Sequence, residues 1–293
     1  MSASSVQNLT ILGTGLIGAS LGLALRAQGF PGSITGWDKN PDEAATALRL
    51  GAIDHIATDP LVAAPSSNII LLATPVLAIL HWMEQLAPVL RPGQLLTDVG
   101  STKHRICEHA ARLFPSGSGA EFLAGHPMAG KEVFGAAHAD AQLFQGAVWL
   151  FTTQPGAAAA PTPLQLAWRG WVQKIGCRIV DTDPARHDEL CAWASHLPQM
   201  VGTALAALLE DEFGSTPEHR AELRDVGGRA MREMTRLGAS PYSMWRDIAQ
   251  TNADALSACL LALEQRLAHI RENLKQPELR EEFDRANQFR KNF

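Results

Sequence analysis

Residues 9–20 read LTILGTGLIGAS, and this stretch constrains the fold more than any other. An apolar run ends on Gly13, Gly15 and Gly18 follow in GxGxxG spacing, and the helical pattern LIGASLGLALRAQG opens at once. Strand, glycine turn and helix in that order form the setting in which the spacing carries meaning. Gly13 permits the tight turn, Gly15 lets the backbone approach a pyrophosphate, and Gly18 lets the helix pack close to the strand. Backbone N–H groups at the helix start, from Leu16 and Ile17 onward, then face the anion. The next apolar run, SITGWD, ends in Asp38, about 20 residues further on. A carboxylate there hydrogen-bonds the adenosine ribose hydroxyls and repels a 2′-phosphate, which favours NAD over NADP. Lys39 beside it tempers that preference.

Strand-length apolar runs recur at 9–13, 33–38, 68–74, 94–100, 121–125, 147–153 and 177–183. They are continuous rather than alternating, as expected when helices cover both faces of a parallel sheet. Helical patterns such as NPDEAATALRLG, PVLAILHWMEQLAPVL and STKHRICEHAARLF lie between them. The expected fold is α/β: a Rossmann-type, doubly wound, mostly parallel sheet. Thr74 and Pro75 end one run, at a carboxyl edge that faces the cofactor groove. From residue 183 onward every segment has helical spacing, so residues 1–182 form a nucleotide-binding domain and 183–293 an all-helical domain. GAAAAPTP (156–163) reads as a surface loop ahead of the last helix of the first domain, and the tail beyond 276 as a docked helix.

Composition excludes several classes. The chain has 293 residues, 46% hydrophobic and 19% charged, which supplies a sizeable core. A net charge of −5 gives no footprint for nucleic acid. The longest apolar stretch, NIILLATPVLAIL, is too short to span a bilayer, and no basic segment precedes the first apolar run, so neither a membrane anchor nor a signal peptide is expected. Cys107, Cys177, Cys191 and Cys259 are scattered, as in a reduced cytoplasmic protein. His104, Cys107 and His109 lack a further ligand cluster, so no metal is expected there. The long apolar faces VGTALAALL and ALSACLLALEQRL exceed what a small helical domain buries alone, which predicts a homodimer.

Two later runs end in chemistry-bearing residues. DVGSTK (98–103) places Ser101 as N-cap of the following helix, at an edge that suits an anionic substrate. LAGHPMAG places His126 at the end of the next strand, in the same crevice. GxGxxG, DVGSTK, GHPMAG, SHLPQ and MTRLGASPYSMWRDI, in this order over roughly residues 8–290, resemble the prephenate dehydrogenase family. That family oxidises a cyclohexadienol at the expense of NAD, with loss of CO2 and aromatisation of the ring. The resemblance implies that His126 is the catalytic base, with Ser101 orienting it or the substrate. It further implies that Arg236 clamps a substrate carboxylate and that His196, Gln199 and Trp245 lie near substrate. Prephenate is the first expected substrate and arogenate the alternative, singly or with dual specificity. Another Rossmann hydroxy-acid dehydrogenase, and a non-catalytic dinucleotide sensor, are the remoter readings.

Overall fold

The computed structural model describes residues 6–115, 117, 119–153 and 160–292. One eight-stranded sheet contains β1 (Asn8–Leu12), β2 (Ser33–Trp37), β3 (His55–Ile56), β4 (Ile69–Leu72), β5 (Leu95–Asp98), β6 (Glu121–Pro127), β7 (Val148–Thr152) and β8 (Arg178–Thr182). Their order is β3-β2-β1-β4-β5-β6-β7-β8. Neighbours run parallel except β6 and β7, which are antiparallel, with His126 opposite Leu150. Every apolar run read from the sequence is a strand, shifted at most by a residue or two. The two-residue β3, whose side chains are exposed, has no apolar signal and was not expected.

Alternate strand residues feed opposite faces. Leu9, Ile11, Ile69, Leu71 and Leu95 enter one apolar cluster together with Trp149, Phe151 and Trp168. Leu12, Ile70, Leu72 and Leu96 enter the other with Val76, Ile79, Met83 and Cys107. Burial on both faces is what makes the runs continuous. The covering helices are α1 (Leu16–Ala27), α2 (Pro41–Arg49), the single turn α3 (Pro60–Ala63), α4 (Val76–Leu86), α5 (His104–Leu113) and α6 (Pro163–Lys174).

Beyond β8 the described residues contain no strand. α7 (Pro184–Cys191) passes through a π-helical turn, Ala192–His196, into α8 (Leu197–Phe213). α9 (Pro217–Val226), α10 (Arg229–Thr235), α11 (Tyr242–Thr251), α12 (Ala253–Glu272) and α13 (Glu278–Asn292) follow. Local chemistry sets many of these starts. Asn40, Asp59, Thr162, Asp183 and Thr216 each accept a hydrogen bond from a first-turn N–H, with proline at the helix start. The tail is a helix, tied to α12 by Glu282, which takes Arg266 and His269. Residues 156–159 of the expected surface loop lie outside the described residues. No helix among the described residues is long and apolar enough to cross a membrane.

Gly13 has φ +95°, and a Cβ there would lie 2.4 Å from the Ala73 carbonyl oxygen. Left-handed strain and overlap with a buried loop therefore act together. Gly13→Ala is expected to cost roughly 1–3 kcal/mol in urea unfolding. An unchanged midpoint would show that the turn tolerates a side chain.

Candidate active site

β1 lies between β2 and β4, so the winding direction reverses between β1 and β4. The loops leaving the carboxyl ends of these two strands form the rim of a crevice. One loop is the glycine turn and the other is Ala73–Pro75. Gly13 donates its N–H to Trp37 at 2.8 Å, and Ala73 donates to Leu12 at 2.7 Å, which locks both loops to the sheet. Asp38 ends β2 and accepts from the Thr14 N–H (2.8 Å) and the Asn40 N–H (2.9 Å). Gly18 packs so close that a Cβ would lie 2.0 Å from the Gly13 carbonyl oxygen.

The glycine turn is built to receive something. α1 starts at Gly15 without a side-chain cap, leaving the first N–H groups, Leu16 and Ile17 among them, open to an anion. A Cβ at Gly15 would meet nothing within 4 Å. Thr14 Oγ1 and Thr74 Oγ1 are buried without a hydrogen-bond partner among the described residues. Such groups cost about 1–3 kcal/mol each when unsatisfied. Open space, free N–H groups and two unsatisfied hydroxyls beside Asp38 fit a dinucleotide.

His126 is the penultimate residue of β6 and is buried. Its Nδ1 lies 2.9 Å from His187 Nε2, and His187 Nδ1 lies 2.8 Å from Asp188 Oδ1. Burial opposes ionisation of Asp188. Hydrogen bonds from His187 and from the backbone N–H groups of His104 and Lys103 outweigh it and hold the carboxyl below its usual range. The carboxylate therefore accepts a hydrogen bond from His187 Nδ1–H. His187 Nε2 then carries a lone pair and accepts from His126 Nδ1–H. This leaves the lone pair of His126 on Nε2, which has no partner among the described residues. Burial, then the positive fields of His187, Lys103 and His196, hold His126 well below the usual imidazole range, so the ring is neutral near pH 7.

α5 corrects one expectation. It begins at His104, and Ser101 does not cap it. Ser101 sits two residues ahead of the N-cap position, Lys103, in a loop pinned by Asp98, which accepts from the Gly100 N–H at 2.8 Å. The cap comes from the helical domain: Asp188 accepts from Lys103 N–H (2.6 Å) and His104 N–H (2.9 Å). Ser101 is left half-buried beside the crevice with its hydroxyl bonded to no other described residue. Lys103, fully buried, pairs with Asp98, whose second oxygen accepts from Gly125 N–H at 3.1 Å. That pair joins the end of β5 to the residue preceding His126.

Of the expected helical-domain residues, His196 and Trp245 come together, their rings edge-on at 5.9 Å between centroids. His196 Nδ1 accepts from Asn252 Nδ2 at 3.2 Å, which puts its proton on Nε2. Both that Nε2 and Trp245 Nε1 are buried N–H donors without partners among the described residues. Gln199 instead braces backbone: its Nε2 donates to Leu237 O (2.7 Å) and its Oε1 accepts from Ser240 Oγ (3.1 Å). Arg236 is exposed and paired with Glu132, while Lys131 pairs with Asp140 at 3.0 Å. His187, Asp188, Lys103 and Asp247 were missed by sequence reasoning. The available signal was the His187–Asp188 dipeptide one turn past the Asp183–Pro184 helix start.

Three buried histidines make stability pH-dependent. Burial lowers His126 and His187, and lowers His196 to about 4. The unfolded chain binds protons that the folded chain refuses, so stability is full above about pH 6.5 and falls as pH drops below it. Each such histidine contributes up to about 1.4 kcal/mol per pH unit. Urea unfolding from pH 7 to 5 is expected to show this loss, with a shallower slope in His196→Gln. Equal slopes in the two proteins would remove His196 from the effect.

Residues 21–180 match the model of the prephenate dehydrogenase nucleotide-binding domain, and residues 183–288 that of the prephenate dehydrogenase dimerization domain. The glycine turn precedes the first matched segment. The chain is 32% identical over 252 residues to prephenate dehydrogenase of Bacillus subtilis, covering 85% of this chain and 65% of that protein. It is 29% identical to cyclohexadienyl dehydrogenase of Zymomonas mobilis, covering 85% and 82%. The chain thus spans slightly less than two thirds of its Bacillus relative. Prephenate dehydrogenase from Aquifex aeolicus, in complex with hydroxyphenyl propionate and NAD+, superposes with a TM-score of 0.86 at 28% identity and covers 98% of both chains. Synechocystis arogenate dehydrogenase gives 0.75 at 30% identity, covering 98% and 99%. With the two domain models matching consecutive segments that together cover most of the chain, it belongs to the prephenate dehydrogenase family.

Proposed function

We propose that this chain catalyses NAD-dependent oxidative decarboxylation of prephenate to 4-hydroxyphenylpyruvate in tyrosine biosynthesis, with arogenate as the alternative substrate. The observation that carries the reading is the His126–His187–Asp188 relay, which ends in an open lone pair on His126 Nε2 at the crevice rim. Residues 1–182 serve the cofactor and residues 183–293 serve substrate and dimerisation. The setting is the cytoplasm, a reading supported by four free, buried cysteines.

Gly13, Gly15, Leu16, Ile17 and Gly18 would hold the pyrophosphate, Asp38 the adenosine ribose, and Thr74 and Pro75 the wall of the groove. When bound, the nicotinamide supplies a hydride acceptor for the carbinol carbon. His126 Nε2 takes the carbinol hydroxyl proton as that hydride leaves. The imidazolium is stabilised through His187 by Asp188, and Ser101 orients the hydroxyl. The carbon–carboxylate bond then breaks, CO2 departs, and its electron pair enters the ring and reaches the former carbinol oxygen. His126 returns the proton there to give the phenol.

Arg236 binds a substrate carboxylate by two parallel hydrogen bonds, exchanging Glu132 for it. The unpartnered N–H donors of His196 and Trp245 face further substrate oxygens, and Gln199 holds the backbone beside Arg236. The homodimer reading is supported by Leu208, Leu261 and Leu267, which leave apolar surface on α8 and α12 more than half exposed in the single chain.

NADH formation measured with prephenate and arogenate, each with NAD and NADP, is the direct test. Turnover of neither substrate overturns the reading. His126→Asn is expected to lower kcat about 10²–10⁴-fold, and Arg236→Gln to act mainly on KM. A kcat left intact by the first, or a KM left intact by the second, removes that residue from its role. Light scattering at micromolar concentration is expected to give the mass of a dimer; a monomer mass would count against the helical interface.

A further inference from the structure

We propose that His126, His187 and Cys191 form a binding site for a thiophilic divalent cation, zinc above all, whose occupancy blocks the base. The effect on turnover rests on the dehydrogenase reading; the cation site does not.

The donor atoms already converge. Cys191 Sγ lies 3.9 Å from His126 Nδ1 and 3.6 Å from His187 Nε2, and the two nitrogens lie 2.9 Å apart. This is the group among the described residues whose imidazole and thiol donors gather within 4.8 Å of one another. Zinc–nitrogen and zinc–sulfur bonds in a tetrahedral site set donor separations of about 3.3 Å between nitrogens and about 3.6 Å from nitrogen to sulfur. Spreading the histidine pair and closing Cys191 on His126, each by a few tenths of an ångström, meets them. Two nitrogens and one sulfur select zinc or its neighbours over magnesium and calcium, which demand oxygen.

The surroundings are those of a metal site. Asp188 accepts from the outer nitrogen of His187 at 2.8 Å, which fixes the tautomer whose lone pair faces the cluster. Lys103 is paired with Asp98, and the Asp188 carboxylate stands against His187. By contrast, on α5 Cys107 Sγ is engaged by Thr152 Oγ1 at 3.2 Å, and His104 and His109 pair with Glu108 and Glu84.

Proton balance follows from the geometry. Cation binding displaces the Cys191 thiol proton to solvent. The His126 proton moves from Nδ1, which becomes a ligand, to Nε2. One proton is released per cation and no electron is transferred. His126 Nε2 then carries a proton and cannot take one from substrate.

The test is titration of the full chain with Co2+, with Zn2+ added in parallel turnover assays. A thiolate-to-cobalt charge-transfer band and release of one proton per cation are expected. Both should vanish in Cys191→Ala and in the near-isosteric Cys191→Ser, and persist in Cys177→Ala. Zinc should inhibit NADH formation reversibly with a chelator, and Cys191→Ala should need at least about tenfold more zinc for half-inhibition of its own rate. No band, or a band that survives both Cys191 variants, overturns the site. A band in a protein that turns over neither substrate keeps the site and discards the dehydrogenase reading. Turnover without a band does the reverse.

Discussion

Two helices of the sheet domain, α4 and α5, begin at the crevice without a side-chain cap of their own, and a carboxylate from the helical domain serves each. Asp247 accepts from the Leu77 N–H at 3.1 Å, and Asp188 accepts from Lys103 and His104. Both carboxylates are buried, so each needs these donors as much as the helices need an acceptor. Charge-assisted bonds at a helix N-terminus are directional and strengthened by the helix dipole. They therefore set how one domain sits on the other, and Thr102–Thr251 at 2.8 Å adds a third tie.

A single residue links this docking to the buried histidines. Asp188 caps α5, accepts from His187, and offers its carbonyl to Asn252 Nδ2, the group that also sets the tautomer of His196. The helical domain thus fixes proton positions on both sides of the cleft. Lys103 works from below: it pairs with Asp98, which also accepts from Gly125 N–H and so ties the residue before His126 to the end of β5. Removing one partner from a buried pair of this kind typically costs about 3–5 kcal/mol.

Much of this was legible in the sequence. Continuous apolar runs revealed strands buried on both faces, the glycine turn identified the crevice, and GHPMAG put His126 at its rim. The rest was hidden by distance along the chain. Asp188 reaches a helix start 84 residues away and Asp247 one 170 residues away, and no local pattern records such a cap. Ser101 was assigned the capping role because serine before a helical run normally takes it, but a tertiary acceptor replaced it. The antiparallel β6–β7 pair was equally invisible, because an apolar run does not announce its direction. Nor does any local pattern record that folding brings Glu132 to Arg236.

The unpartnered N–H donors of His196 and Trp245 leave the cleft under-bonded when it is empty. A ligand that presents oxygens to them offsets a desolvation cost already incurred in folding, about 1–3 kcal/mol for each donor. By mass action that gain belongs to the folded state alone. A ligand seated on these donors would therefore raise the stability of the folded chain as its concentration rises, with no change in any other contact.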